Sequence, residues 1–142
     1  MTQDFLDGLV GEWTIMAQMG ETPLDQQVQA RRVLGGHFVE LRMQQSEPRY
    51  EAIYLLGRDP ESGRYVFHLF DSFGVSEHYR FGVADLRSDR LEFTFDYKSG
   101  PFHNTLIKHA DEDAWTWLLE FAKAGERKVF ATKSMARKES SL

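Results

Sequence analysis

Apolar and polar residues alternate along most of this chain with a period of two. Over 90–97, Leu91, Phe93, Phe95 and Tyr97 fall on one side, and Arg90, Glu92, Thr94 and Asp96 on the other. That is the pattern of a half-buried β-strand. Over 114–121 the apolar side is Trp115, Trp117, Leu119 and Phe121. Short runs of this kind, rich in aromatic and β-branched residues, recur between turn residues at all-β spacing. They predict ten strands, over 11–18, 26–34, 37–45, 49–57, 64–71, 76–84, 90–97, 102–109, 114–121 and 127–137. Helix signals are confined to the N-terminus. There Thr2 can cap one short turn whose apolar face is Phe5, Leu6 and Leu9, with Gly8 or Gly11 ending it. The connections are too short for crossover helices, so sequential strands should pair antiparallel.

Three turns set expected registers. In Asp59-Pro60-Glu61-Ser62-Gly63-Arg64, Pro60 presets φ and Gly63 supplies the left-handed residue. Pairing Asp59 with Arg64 then places Leu56 opposite Phe67 and Tyr54 opposite Leu69. In Asp71-Ser72-Phe73-Gly74-Val75, a tight loop pairs Asp71 with Val75. It places Phe67 opposite Tyr79, Tyr65 opposite Phe81 and His68 opposite His78. A loop over 110–113 pairs His109 with Ala114, so Leu106 faces Trp117 and Asn104 faces Leu119. Phe102, Asn104 and Leu106 then point inward, and His103 and His109 outward.

Ten sequential antiparallel strands with one aromatic face are more than an open, twisted sheet carries comfortably. Closure removes the edges and gives that face an interior. The expected fold is all-β: a closed up-and-down antiparallel barrel of about ten strands over 11–137, with a short N-terminal helical turn, in a single domain spanning 1–142. A two-sheet sandwich is the structural alternative.

Several of the residues just placed also form motifs. Gly11-Glu12-Trp13 opens the first strand directly after the helical turn. Leu34-Gly35-Gly36-His37-Phe38 follows, then Tyr50-Glu51-Ala52-Ile53-Tyr54-Leu55-Leu56-Gly57-Arg58-Asp59, then Asp71-Ser72. In this order and spacing they resemble a bacterial lipocalin-like family of the calycin superfamily, a family of unassigned function. The resemblance covers roughly residues 5–137. Arg58 stands where the family commonly has Tyr, and Leu69 takes its aromatic position before Asp71-Ser72. The resemblance implies a barrel like those of lipocalins and fatty-acid-binding proteins, with Trp13 plugging one end. It implies no activity. It also suggests a basic side chain from a late strand laid over Trp13, with Lys133 and Arg137 as candidates. The attraction would be cation–π, of about 0.5–2 kcal/mol.

Composition narrows the function classes. Lys and Arg number 17 against 22 Asp and Glu, a net charge of −5, which argues against nucleic-acid or anionic-membrane binding. The first thirty residues carry no Lys or Arg, whereas 123–138 holds a basic cluster. No apolar run is long enough to span a bilayer, and the N-terminus does not read as a signal peptide. The chain has no cysteine, which excludes thiol chemistry and makes the cytoplasm the expected compartment.

The 13% aromatic content points to the interior as the functional candidate. A binding cavity is mostly apolar with a few orienting polar groups. Its expected walls are Trp13, Leu56, Phe67, Phe81, Phe93, Phe95 and Trp117, with polar tips from Tyr54, Tyr65, Tyr79 and Asn104. The ligand-binding set is therefore Trp13, Tyr54, Phe67, Tyr79, Phe93, Phe95, Asn104 and Trp117. The expected function is non-enzymatic binding of a hydrophobic or aromatic small molecule, with no cofactor. Two alternatives stay open. One is an enzyme in the same pocket, haem-dependent or isomerase-like, with an inward carboxylate such as Glu77. The other is a ring-filled barrel acting only as an interaction module.

No catalytic or metal set is expected. There is no Gly-x-Ser-x-Gly elbow, zinc-protease motif or phosphate loop. Ser76 and His78 would share a face but lack an orienting carboxylate. His68 and His78, at about 5 Å, could share a metal, but on the outer face and without a clear third ligand beyond Glu51. That outer face also carries Ile53, Leu55, Val66 and Phe70, an apolar patch that points to a homodimer.

Overall fold

The computed structural model describes residues 4–75 and 81–138. A 3-10 turn, Phe5–Leu9, precedes eleven strands: β1 (Gly11–Met19), β2 (Thr22–Val33), β3 (Phe38–Gln45), β4 (Tyr50–Arg58), β5 (Tyr65–Asp71), β6 (Phe81–Ala84), β7 (Leu86–Arg87), β8 (Arg90–Tyr97), β9 (Gly100–His109), β10 (Ala114–Lys123) and β11 (Glu126–Arg137). Sequential strands pair antiparallel from β1 to β6 and from β8 to β11. β1 pairs with β11, and β6 meets β8 through Val83 and Thr94. These two junctions close ten strands into a barrel, and the two-residue β7 is an extra piece beside β8. The expected all-β closed barrel is what forms, and the sandwich is not. Among the described residues no helix is long and apolar enough to cross a membrane.

Two of the three turn-derived registers are observed. Leu56 faces Phe67 and Tyr54 faces Leu69 across β4 and β5. The Asp59 N–H donates to Arg64 O, and Gly63 sits at φ 76°. Leu106 faces Trp117 and Asn104 faces Leu119 across β9 and β10.

The third register is a correction. The Gly74 N–H does bond to Asp71 O, so the tight turn begins as expected. The next described strand, however, pairs out of the expected register. Tyr65 lies opposite Ala84, Phe67 opposite Gly82 and His68 opposite Phe81, a shift of three residues. An odd shift reverses the faces of the incoming strand. Phe81, expected inward, is therefore outward and 55% exposed. The interior enforces this choice. A Cβ at Gly82 would stand 2.6 Å from Phe95 Cε1 and 3.0 Å from Phe93 Cβ, so only glycine fits inward there without displacement. Phe81 at that height would collide with both rings. The expected His68–His78 pairing is overturned by the same shift. Tyr79, Glu77, Ser76 and His78 lie outside the described residues.

One end of the barrel is closed by the 3-10 turn. Asp4 caps it, rather than Thr2, which is also outside the described residues. The Asp4 carboxylate accepts from the Leu6 N–H, and the Asp7 carboxylate accepts from the Asp4 N–H. This reciprocal arrangement satisfies the first free donors of the turn. Arg32 pairs with both carboxylates. Leu6 and Leu9 are fully buried beneath it.

Candidate functional site

Trp13 lies at the closed end. It is fully buried, and its Nε1 donates to Leu9 O at 2.7 Å. Arg137, its cross-strand partner on β11, lies over the indole with Cζ 4.1 Å from the ring centroid. The guanidinium also donates to Gly8 O and Val10 O and pairs with Asp113. Of the two basic candidates for that position, Arg137 takes it. Lys133 does not: it faces Ala17 and Trp117.

Above Trp13 the barrel has two unlike walls. Strands β4, β5, β8, β9 and β10 turn rings inward. Tyr54, Phe67, Phe93, Phe95 and Trp117 form one connected set, with neighbouring centroids 4.9–6.1 Å apart. Edge-to-face and tilted geometries dominate, as aromatic quadrupoles prefer. Asn104 belongs to this wall and is buried. Its Oδ1 accepts from Trp117 Nε1 at 2.9 Å, so it fixes the indole.

The opposite wall is built by β11, β1, β2 and β3. Its inward residues above Trp13 include Ala17, Leu24, Gln26, Met43, Gln45, Ala131 and Lys133, all buried. Gln26 Nε2 donates to Gln45 Oε1, and Gln45 Nε2 donates to Pro48 O, each at 2.7 Å. Gln26 Oε1 is buried with no hydrogen-bond partner. Lys133 is 6% exposed. Its Nζ lies 4.5 Å from the Trp117 ring centroid and 3.7 Å from Met43 Sδ. Burial pulls the Lys133 amine down to about 8. The sequence pointed to Lys133 only as a neighbour of Trp13. It missed Gln26 and Gln45, whose inward direction follows from strand alternation alone.

At the end of the barrel away from Trp13 lie Tyr50, Asp71, Tyr97 and Phe102. The Tyr50 hydroxyl donates to Asp71 Oδ2 at 2.9 Å. Burial and that carboxylate push the Tyr50 phenol far up. Burial, reinforced by Tyr50, holds Tyr54 well above its ordinary value. Tyr97 is raised by burial and then by Asp71. All three phenols therefore stay protonated at neutral pH and act as hydroxyl donors or acceptors, not as bases. A concavity of about 250 Å³ opens at the rim between Tyr97, Phe102 and Phe121.

The sequence-predicted set is thus brought together in part. Tyr54, Phe67, Phe93, Phe95, Asn104 and Trp117 share one wall, Trp13 lies at the closed end, and Tyr65 reaches the N-terminal turn, where its hydroxyl bonds to Asp4. His103 and His109 point outward as expected. His103 is nevertheless buried, held between Thr94 Oγ1 and Arg127. Among the described residues no group of three or more His, Asp or Glu converges to hold a metal. A groove on the outer wall is lined by Arg64, Asp85, Glu92, Glu120 and Arg127, whose charges already pair with one another.

No protein-family model matches the chain, and no curated protein matches it. The closed ten-strand antiparallel barrel is compatible with a calycin-like fold.

Proposed function

We propose that this protein is a non-enzymatic binding barrel of the calycin type that takes a largely apolar small molecule through its mouth. One observation carries the reading: above Trp13, the wall of β11, β1, β2 and β3 buries three polar side chains, Gln26, Gln45 and Lys133, among its apolar ones. Ala17 and Ala131 are small for a barrel interior, and Gln26, Gln45 and Lys133 put polar atoms into it beside Ile15, Leu24, Met43 and Met135. Buried polar groups without partners are costly, and a ligand-binding interior is where such groups are kept. The ring wall, with Tyr54, Phe67, Phe93, Phe95 and Trp117, supplies the apolar contact surface, and Trp13 and Asn104 brace it. The absence of cysteine is consistent with a cytoplasmic setting, which we adopt for the proposal.

Native mass spectrometry of the freshly purified protein, together with a tryptophan fluorescence titration with the neutral dye Nile red, tests the reading. A stoichiometric adduct or saturable quenching is expected. Ala131→Trp, which fills the small wall, should weaken dye binding about tenfold or more while circular dichroism remains that of the parent. Absence of both adduct and quenching overturns the reading.

A second reading concerns the outer face. Ile53, Leu55, Val66 and Phe70 lie there on β4 and β5, and the corrected register adds Phe81 to them. Arg42, the cross-strand neighbour of Ile53 and paired with Glu40, and Glu51, two residues before Ile53, border this surface. A patch that is apolar at its centre and carries both signs at its rim is self-complementary about a two-fold axis. We assign it to a second copy of the chain. Sedimentation equilibrium should give a dimer for the parent and a monomer for Phe81→Glu. A monomeric parent removes the proposal.

A further inference from the structure

The groove on the outer wall has a volume of about 430 Å³ and lies where β6 meets β8 through Val83 and Thr94. Arg64 and Arg127 answer its carboxylates. Two further arginines, Arg87 and Arg90, line it as well. They stand directly opposite each other across β7 and β8. Both lie on the outer face, because Leu91, next along β8, is fully buried in the core. Like charges in this position, with Cβ atoms about 5 Å apart, repel. Arg90 has only its sequence neighbour Asp89, at 3.4 Å and half-exposed, a contact worth little in water. Arg87 pairs with no carboxylate among the described residues.

A second observation lies on the floor of the groove. Thr105 lines it from the outer face of β9, between the inward Asn104 and Leu106, and is only 4% exposed. Its Oγ1 is buried with no hydrogen-bond partner, which is unfavourable for a hydroxyl. Thr105 faces Glu92, two residues beyond Arg90 on the same side of β8. It therefore stands one diagonal step from Arg90, about 7–8 Å away. Two repelling cations and one unanswered hydroxyl border the same space.

We propose that this groove binds a phosphate monoester, its phosphoryl oxygens bridging the Arg87 and Arg90 guanidinium groups and accepting from the Thr105 hydroxyl. A dianion matches the two cations, and three terminal oxygens give each donor group an acceptor. A carboxylate has two oxygens, and a single guanidinium can occupy both. Thr105 donates by rotation of its hydroxyl, which no protein acceptor holds. The ester body lies against Val83 and Leu118, beside Glu92 and Glu120. Those carboxylates repel a second anionic group and accept from hydroxyls, so the body is neutral and hydroxyl-bearing, as in a sugar or polyol phosphate. The groove is outside the barrel and uses none of the inward residues, so the inference goes beyond the container reading and stands or falls separately from it.

Titration calorimetry of the full chain with sorbitol phosphate, inorganic phosphate, sorbitol and gluconate, at low ionic strength, tests this. The parent should bind sorbitol phosphate about tenfold tighter than inorganic phosphate or gluconate, and sorbitol not at all. Arg87 is exposed, so Arg87→Ala keeps the fold, and it should weaken the ester about tenfold. Thr105→Val should weaken it about fivefold and raise the urea midpoint of the ligand-free protein, because a methyl group replaces an unpartnered hydroxyl. Arg31→Ala, an exposed arginine on β2 outside the groove, should leave the affinity at that of the parent. No saturable binding of either phosphate, or an affinity that Arg87→Ala leaves unchanged, overturns the site. An equal loss in Arg31→Ala also overturns it, since general charge attraction would then be the cause. Unchanged affinity in Thr105→Val overturns the place given to the hydroxyl. Gluconate binding as tightly as the ester overturns the phosphoryl assignment, and inorganic phosphate doing so overturns the assignment of the body. None of these outcomes touches the interior, which the dye titration tests.

Discussion

The two walls of the barrel obey the same alternation and end in different chemistry. The wall of β4, β5, β8, β9 and β10 turns in rings, and the one inward amide there, Asn104, is bonded to Trp117. The wall of β11, β1, β2 and β3 turns in two glutamines and a lysine among aliphatic residues and methionines, and two of its polar groups have no conventional partner. Period-two patterning decides only which residues face inward. Whether the inward face becomes a core or a site depends on whether its polar atoms are answered from within. On the ring wall they are. On the other wall the unanswered atoms are an acceptor at Gln26 and a cation at Lys133.

Trp13 is where the two walls meet, so its removal should have the largest effect. Trp13→Ala deletes a fully buried indole, the bond to Leu9 O and the surface on which Arg137 rests. Loss of such a side chain costs about 3–5 kcal/mol. Urea unfolding monitored by near-ultraviolet circular dichroism measures it. A cost below about 1 kcal/mol would mean that the closed end does not hold the walls together.

Lys133→Met should act in the opposite direction, and its size reports how unlike the walls are. The amine stands at about 8 in the folded chain, against an ordinary value of 10.5. Burial thus disfavours the charged form, and below pH 8 the ammonium costs folding about 3 kcal/mol. The sign follows from proton counts. Between 8 and 10.5 the unfolded chain binds more protons than the folded one, so the cost is relieved as pH rises and is gone above 10.5. Methionine, similar in length and apolar, removes it at every pH. In paired denaturations without ligand, the variant should be the more stable at pH 7, and the difference should shrink towards zero by pH 10.5. No gain at pH 7 would mean that Lys133 is answered in the free protein after all, and the contrast between the walls would vanish.

The contrast also sorts what a single sequence makes readable. Registers across Asp59–Arg64 and His109–Ala114 were legible because short turns tie the strands and leave few alternatives. The neighbours of Lys133 and Arg137 were not. They face β1, at the other end of the chain, and no turn links β1 to β11 to set the register. Alternation put both basic residues on one face, but only the observed pairing of Trp13 with Arg137 and of Ala17 with Lys133 separates them. The aromatic richness drew attention to the ring wall, whereas the unanswered polar atoms lie on inward residues that are not aromatic. Gln26 and Gln45 alternate with Leu24, Val28 and Met43 and were legible as inward. That Gln26 Oε1 is left without a partner depends on three-dimensional neighbours and was not.

The smallest predicted effect tests the ring wall at the one place where the sequence register failed. Gly82 faces inward between Phe93 and Phe95, opposite Phe67. A methyl group there would come within 2.6 Å of Phe95 Cε1. Phe95 is fully buried and held edge-on by Phe67 at 5.4 Å, so the ring cannot swing away freely. Overpacking of this kind costs about 1–3 kcal/mol. Alanine recovers part of that, about 0.5–1 kcal/mol, because glycine is a poor strand residue. Gly82→Ala should therefore destabilise by about 1–2 kcal/mol, measured by urea denaturation. Gly74→Ala, at an exposed turn with nothing within 4 Å of the added carbon but φ 104°, is the control that carries backbone strain without ring contact. Restoring space with Phe95→Leu should rescue Gly82→Ala in a double-mutant cycle. Rescue would locate the cost in the rings. A neutral Gly82→Ala would mean that the wall has slack, and the rigid face assigned to the ligand's apolar body would lose its basis.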